Sequence, residues 1–242
     1  MNVELIALPG MPIVRPGDDL AALIRKIAPQ FAAGDVLVVA QKIVSKAEGR
    51  FVDLATVTPS PEAARLARET DKDPRLVELI LGESQRVLRA VKGVLIVVHR
   101  CGFVLANAGI DASNVGDDRV LLLPKDPDAS AARLSAMLGV PVIVNDSLGR
   151  AWRNGTTGTA LGAAGLPSLL DLRGQPDLFG RILRASEIGL ADEIAAAASL
   201  VQGQAAEGTP VVLVRGLADL IAAAPARNAN ALIRARENDL FL

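Results

Sequence analysis

The hydrophobic pattern of the chain switches repeatedly between two periods, which predicts strands and helices in alternation. Short apolar runs rich in β-branched residues predict buried strands. They lie at residues 3–8, 36–40, 140–144 and 211–214. Apolar positions at intervals of three and four predict helices, with Asp or Ser available as N-caps. These helices span residues 20–31, 60–70, 129–138 and 192–202.

Weaker signals predict the remaining elements. Further strands are expected at residues 85–91, 93–98, 102–106 and 120–123, with a strand-like segment around 182–188. Another helix begins at Asp73-Pro74. No linker or internal repeat is visible, so residues 1–242 are expected to form one domain, divided into at most two subdomains.

A polar stretch follows the apolar run at residues 140–144 and carries the most informative chemistry. It is predicted to be a loop over residues 145–165 and contains Asp146, Ser147, Arg150 and Arg153. A carboxylate and a hydroxyl at a strand end can bind a hard cation, and arginines hold phosphate or carboxylate groups. This combination suits a phosphorylated, metal-bound ligand. The alternative is an ordinary polar turn with solvated arginines.

Three other polar segments follow or precede strands. The first, after residues 36–40, carries Ser45 and Lys46, and the alternative is an ordinary amphipathic helix. The second carries Asp111 and Asn114, which an Asx turn would also explain. The third, at residues 203–208, is glycine-rich, but the following Thr-Pro excludes a Walker A loop. If these segments converge, they form one site.

Composition narrows the reaction class. The single histidine, His99, and the single cysteine, Cys101, exclude zinc sites of the Cys/His type and an intramolecular disulfide. His99 ends a strand-like run and is expected to be structural or at the surface. Scarce aromatic residues and a net charge of −1 argue against a nucleic-acid binder. Phosphoryl transfer is the reaction class that fits this composition, because its catalysis depends mostly on positioning and charge neutralisation.

Compartment is predicted from what the sequence lacks. A single cysteine fits a reducing cytoplasm, and the N-terminus has no basic region ahead of an apolar core. No run of 18 apolar residues is present, so no membrane span is expected.

Several ordered segments together resemble one family, the GTP-dependent coenzyme F420-0:L-glutamate ligases. The resemblance is carried by GDVLVVAQKIVSKAEGR at 34–50, DPRLVELI at 73–80, ANAGIDASNV at 106–115, DS at 146–147, GR at 149–150, WR at 152–153 and PDLFGR at 176–181. It implies a mixed α/β (α+β) fold of the family's own type, built as an intertwined homodimer. It also implies that L-glutamate is joined to F420-0 through an acyl phosphate, with further γ-linked additions, while GTP becomes GDP and phosphate.

The resemblance also implies roles for individual positions. One metal would be held by Asp111 and Asp146, and a second by Ser147 and Glu207; Mg or Mn is implied, with K as a further cation. The nucleotide would contact Leu8, Pro9, Gly10, Met11, Ser45, Lys46, Asn114, Gly203, Gln204, Ala205, Ala206, Glu207 and Gly208. Lys46 would add positive charge where negative charge develops. From their chemistry, Arg150 and Arg153 are further candidates for the substrate or the phosphoryl group.

Departures from the family pattern leave two alternatives open. Leu148, Ala151 and Thr156 replace usual residues beside the predicted site loop, and Asn145 and Gln202 also differ from the pattern. The chain could therefore activate a different carboxylate acceptor, or bind GTP without turnover. The flavin reductase-like domain fused to some relatives is not expected in these 242 residues.

Overall fold

The computed structural model describes residues 2–112 and 118–239, which form a mixed α/β fold. The strands are β1 (Glu4–Ala7), β2 (Val36–Ala40), β3 (Phe51–Asp53), β4 (Ser84–Val91), β5 (Val94–His99), β6 (Val104–Ala106), β7 (Arg119–Leu121), β8 (Val142–Arg150), β9 (Arg153–Ala164), β10 (Leu170–Asp171), β11 (Glu187–Ile188) and β12 (Val211–Arg215). The helices are α1 (Leu20–Ile27), α2 (Gln41–Ala47), α3 (Pro61–Thr70), α4 (Pro74–Gly82), α5 (Pro127–Leu138), α6 (Leu190–Gln202) and α7 (Ala218–Ala222).

Local sequence explains where several helices begin. The side chain of Asp19 accepts a hydrogen bond from the backbone of Ala22 at the start of α1, and Asp126 caps α5 in the same way. Ser60 and Asp73 cap α3 and α4, each followed by proline at the first helical position.

A five-stranded sheet, in the order β1-β12-β2-β8-β9, forms the centre of the fold. The β2–β8 pair is parallel and the other pairs are antiparallel. Both faces of the sheet are covered: α1, α2 and α5 pack on one face, and α6 packs on the other. This double burial explains why β2 reads as an unbroken apolar run instead of an alternating one.

A second hydrophobic cluster lies outside the central sheet. It joins α3 and α4 to the three-stranded sheet β4-β5-β6 through residues such as Val77, Ile80 and Leu95. His99, at the end of β5, is fully buried here, and its Nδ1 accepts a hydrogen bond from the backbone N–H of Cys101. The structural expectation for His99 is therefore confirmed, and the surface alternative is wrong.

Two predicted segments differ from the observed fold. The stretch expected to be a loop over residues 145–165 belongs to a long β-hairpin, because the apolar run continues into β8, which pairs with β9 along its length with register shifts after Val144 and Gly149. The segment around residues 182–188 is a strand only at Glu187–Ile188. Directly before this segment, the Asp177 carboxylate accepts hydrogen bonds from the backbone N–H groups of Phe179 and Arg181, which favours a turn over residues 177–181.

The helix expected at residues 20–31 ends at Ile27, where the next residue, Ala28, is extended. None of the helices in the described part of the chain combines the length and hydropathy needed to cross a bilayer.

Candidate active site

A cleft of about 590 Å³ opens where β2 ends and its parallel pairing with β8 stops, at Ala40 and Asn145. Strand ends of this kind are common ligand positions in α/β sheets. Its walls come from five separate segments: residues 11–14, the start of α2, the turn at Asp111, residues 145–147 of β8, and the loop after α6. A second cavity of about 610 Å³ lies beside the start of α5, and none of the predicted site residues lines it.

Two carboxylates from different parts of the chain reach this cleft. Asp146 follows the buried part of β8, and Asp111 is positioned by a backbone bridge to Leu121. Burial raises the pKa of Asp146 to about 7, and the nearby Asp111 charge acts in the same direction. The Asp146 carboxylate also accepts a 2.9 Å hydrogen bond from the backbone of Ser147. A desolvated carboxylate beside a second one is a place where a bound cation is stabilising.

Two lysines lie on α2 beside these carboxylates. Their spacing of four residues puts Lys42 and Lys46 on one face of the helix. The Lys42 ammonium contacts the Asp111 carboxylate, with 2.5 Å between Nζ and Oδ2. The pKa of Lys46 lies below its usual value, because burial and the neighbouring Lys42 charge lower it by more than the Asp111 charge raises it. This side of the cleft thus brings together two carboxyl groups and two lysine side chains.

The glycine-rich loop 203–208 forms the opposite wall. Gly203 and Gly208 have φ angles of +74° and +71°, which glycine adopts without strain. The exposed Glu207 folds back inside the loop, and its carboxylate accepts a 2.8 Å hydrogen bond from the backbone of Ala205. Gly203 combines its positive φ with a ψ of 170°, a backbone conformation that is essentially limited to glycine. A Cβ at residue 203 would also lie 2.3 Å from the Glu207 Cδ atom, so the Glu207 side chain would have to move.

The structure brings many of the predicted residues together in the cleft. The predicted residues that line it are Met11, Lys46, Asp111, Asp146, Ser147, Gly203, Gln204, Ala205, Ala206, Glu207 and Gly208.

Other predicted residues lie elsewhere in this chain. Leu8 is buried in the core, and Ser45 is fully buried with its hydroxyl donating to Gln41 Oε1. Pro9 and Gly10 are exposed next to the cleft segment 11–14. Asn114 lies outside the described residues.

The two predicted arginines flank the tip of the β8–β9 hairpin. Arg150 and Arg153 are directly paired there and exposed, and neither lines the cleft. Between them Trp152 is 91% exposed and has a φ of +63°. The arginines are therefore accessible to a large anionic molecule or to another protein chain.

These side chains suit a hard divalent cation whose other ligands are water and the oxygens of a phosphorylated molecule. In the described residues, no three His, Cys, Asp or Glu side chains converge closely enough to hold one ion. Asp111 and Asp146 provide two carboxylates, which is the usual protein contribution where substrate phosphates and water complete an octahedral Mg²⁺ shell.

Some residues of the cleft were not selected as site residues from the sequence. Lys42, Asn145, Gln202 and Ile13 all line it. Lys42 was detectable, since it lies one helical turn from Lys46. Asn145 and Gln202 are 57 positions apart, and no local pattern indicates that they meet.

Comparison with known proteins supports a family assignment. The sequence matches the family model described as F420-0:Gamma-glutamyl ligase over residues 10–216. A relative from Methanothermobacter thermautotrophicus is 46% identical over 226 residues, which cover 89% of this chain and 90% of the relative. A relative from Methanopyrus kandleri is 47% identical, covering 94% and 93%, and one from Natronomonas pharaonis is 47% identical, covering 88% and 86%.

All three relatives are named coenzyme F420:L-glutamate ligase. The match spans the strand ends, α2, the hairpin and the loop that build the cleft. The chain therefore belongs to the F420-0:gamma-glutamyl ligase family.

Proposed function

We propose that this ligase uses GTP to join L-glutamate to F420-0, and then adds further glutamates through γ-linkages. The observation that supports the proposal is the convergence of Asp111, Asp146, Lys42 and Lys46 in one cleft with the 203–208 loop. These are groups that position phosphates and neutralise their charge, which is what phosphoryl transfer demands.

The reaction proceeds in two balanced steps. A carboxylate oxygen of the acceptor attacks the γ-phosphorus of GTP, and the bond between that phosphorus and the GDP oxygen breaks. The product is an acyl phosphate. The glutamate amine then attacks the acyl carbon, phosphate leaves with the bonding electrons, and the amine releases a proton as the amide forms.

Residues of the cleft and residues outside it have distinct parts in this scheme. Lys46 binds the terminal phosphates, where its charge offsets the negative charge that develops during transfer. The 203–208 loop encloses the nucleotide together with Met11. Arg150 and Arg153 attract the anionic acceptor. Asn114, Ser45 and residues 8–10 remain predicted nucleotide contacts.

Asp111 and Asp146 would hold one divalent cation, Mg²⁺ or Mn²⁺, and Ser147 and Glu207 a second, with K⁺ as a further cation. Bound there, the cations would neutralise the β- and γ-phosphate oxygens. The protein itself contributes the fixed carboxylate positions and excludes part of the solvent from them.

We also propose that two copies of the chain associate. The exposed surface carries large apolar side chains that a single chain leaves uncovered, among them Trp152, Leu178 and Phe179. Exposed apolar groups of this size commonly mark association surfaces.

The test is phosphate release from GTP with Mn²⁺ or Mg²⁺, purified F420-0 and L-glutamate, with mass detection of the product. We expect a gain of one or more glutamyl units that is absent without GTP. Asp146→Ala is expected to lose turnover while keeping its circular dichroism spectrum; near wild-type turnover in this variant would contradict the metal assignment.

Two other outcomes decide between the alternatives. GTP binding followed by turnover only with another carboxylate would assign a different acceptor, with Leu148 and Thr156 as the first residues to examine. Metal-dependent GTP binding without phosphate release under any condition would identify a non-catalytic relative.

A further inference from the structure

The base of the 203–208 loop is held by the side chain of Gln202, the last residue of α6. Its Nε2 donates a 2.9 Å hydrogen bond to the carbonyl of Pro210, on the far side of the loop. The hydroxyl of Thr209 donates a 3.1 Å hydrogen bond to the backbone carbonyl of Gln202. Gln202, which directly precedes the loop, therefore bonds to the two residues that directly follow it.

The same side chain reaches the strand that carries Asp146. Its Oε1 accepts a 2.7 Å hydrogen bond from Nδ2 of Asn145, the residue directly before Asp146. Both amide side chains belong to buried residues, with 3% exposure for Asn145 and 8% for Gln202. Hydrogen bonds between buried amides have few competing partners, so their geometry is well defined.

The network also includes the strand that leads into the lysine helix. The Pro210 carbonyl accepts a second hydrogen bond, of 2.8 Å, from the backbone of Ala40. Ala40 is the N-cap of α2 and pairs with Asn145 in the β2–β8 ladder. The contacts thus form a closed ring through Asn145, Gln202, Pro210 and Ala40.

The remaining polar atoms of Asn145 are also satisfied. Its Oδ1 accepts from the backbone of Thr159 at 3.0 Å, and its Nδ2 donates to the Ser199 hydroxyl at 3.0 Å. Ser199 holds Asn145 against α6 but makes no hydrogen bond to the loop itself.

We propose that Gln202 and Asn145 are positioning residues that fix the 203–208 loop relative to Asp146 and to the lysines of α2. This inference rests on the proposed function, because the benefit of the coupling is a preformed nucleotide cleft. Losing the Gln202 side-chain contacts would leave the Thr209 hydroxyl as the side-chain link between the end of the loop and α6, and nucleotide binding would then have to order the loop further.

The experiment is a double-mutant cycle on the full chain. Gln202→Met keeps the length of the side chain without its polar atoms, and Asn145→Ala removes the partner. We expect each variant to raise the Kd for a fluorescent GTP analogue about tenfold with Mn²⁺ present, and the KM for GTP in parallel, while the KM for glutamate stays unchanged. The double variant should lose less affinity than the two single losses combined, because the Asn145–Gln202 hydrogen bond is already absent in each single variant.

Ser199→Ala is the matched control, because it removes a hydrogen bond to Asn145 without touching the loop. It should leave the Kd for the GTP analogue within about twofold of wild type. Hydrogen exchange in the absence of nucleotide gives a second readout: the amides of residues 203–209 should exchange faster in Gln202→Met and Asn145→Ala, but not in Ser199→Ala.

Each contrary result has a distinct meaning. Wild-type affinity for the GTP analogue in Gln202→Met, or additive losses in the double variant, would overturn the coupling. If the wild-type chain does not bind the analogue, the proposed function fails, and the exchange data alone judge the coupling. Unchanged exchange at residues 203–209 in Gln202→Met would then overturn it.

Discussion

The ammonium group of Lys42 lies against Asp111, one of the two carboxylates that we propose as metal ligands. The two side chains contact each other directly, and both are partly exposed, at 33% and 24%. A cation arriving at Asp111 therefore competes with an existing ion pair. Such a pair stabilises the metal-free cleft but opposes metal binding.

Replacing Lys42 by methionine is expected to tighten Mn²⁺ binding about fivefold, since a partly exposed ion pair contributes up to about 1 kcal/mol. Electron paramagnetic resonance of free Mn²⁺ measures the Kd without any turnover. Lys26→Met, on α1, makes the same change in net charge at a residue that does not line the cleft, and serves as the control. Equal Kd values in the two variants would contradict the competition.

The buried carboxylate of Asp146 should make the metal-free protein sensitive to pH. Its pKa in the folded chain is raised to about 7 by burial, against 3.8 for an ordinary Asp. Between these values the folded state binds more protons than the unfolded state, so the free energy of unfolding should fall as pH rises from about 4 to about 7.

Urea unfolding of wild type and Asp146→Asn in EDTA tests this expectation. The variant should lack that part of the pH dependence, so its stability advantage should grow towards pH 7 and vanish near pH 4. Parallel pH profiles for the two proteins would show that Asp146 does not titrate in this range. Saturating Mn²⁺ should raise wild-type stability at pH 7.

At the scale of elements, β9 lies between α5 and α6, and each helix packs closely against a glycine of the strand. A Cβ at Gly158 would lie 2.4 Å from the Ala195 carbonyl oxygen of α6, and one at Gly162 would lie 2.1 Å from the Pro127 carbonyl oxygen of α5. The missing side chains let both helices approach the strand. This close packing sets the position of β8 and its carboxylate relative to α6.

Gly162→Ala is accordingly expected to destabilise the fold by about 3 kcal/mol, at the upper end of the usual overpacking range, because the new methyl group meets backbone. Gly149→Ala, on the same hairpin, is the control, since its Cβ would meet nothing within 4 Å. Urea unfolding should show no more than about 0.5 kcal/mol for the control. Similar losses in both variants would mean that hairpin glycines matter for strand formation and not for helix packing.

At the scale of the whole molecule, the uncovered apolar side chains predict self-association. Light scattering after size-exclusion chromatography should give about 50 kDa, twice the chain mass of 25.2 kDa. Replacing Leu178 and Phe179 by serine should lower that mass towards one chain on dilution, whereas Leu200→Ser, which changes a single exposed residue of α6, should not. A wild-type mass of one chain at micromolar concentration would contradict the homodimer.

Local sequence determined most of the elements and the chemical character of the site. Strands that are buried on both faces of a sheet, such as β2 and β12, are recognisable in the sequence as continuous apolar runs. Helix N-caps such as Ser60 and Asp73 are also predictable, because they depend on a few neighbouring residues. The polar residues after β2, in the second half of β8 and after α6 were likewise recognisable as candidates. Their order along the chain also supported the family resemblance.

Tertiary structure decided where those residues lie relative to one another. The β8–β9 hairpin was not predicted from the sequence, because its polar side chains are also typical of a loop and only the cross-strand pairing distinguishes the two. The ring of Asn145, Gln202 and Pro210 depends on β8, α6 and β12 meeting at one point, and the Lys42–Asp111 ion pair depends on α2 packing beside a distant turn. Such contacts join positions tens of residues apart, and local propensity carries no information about them.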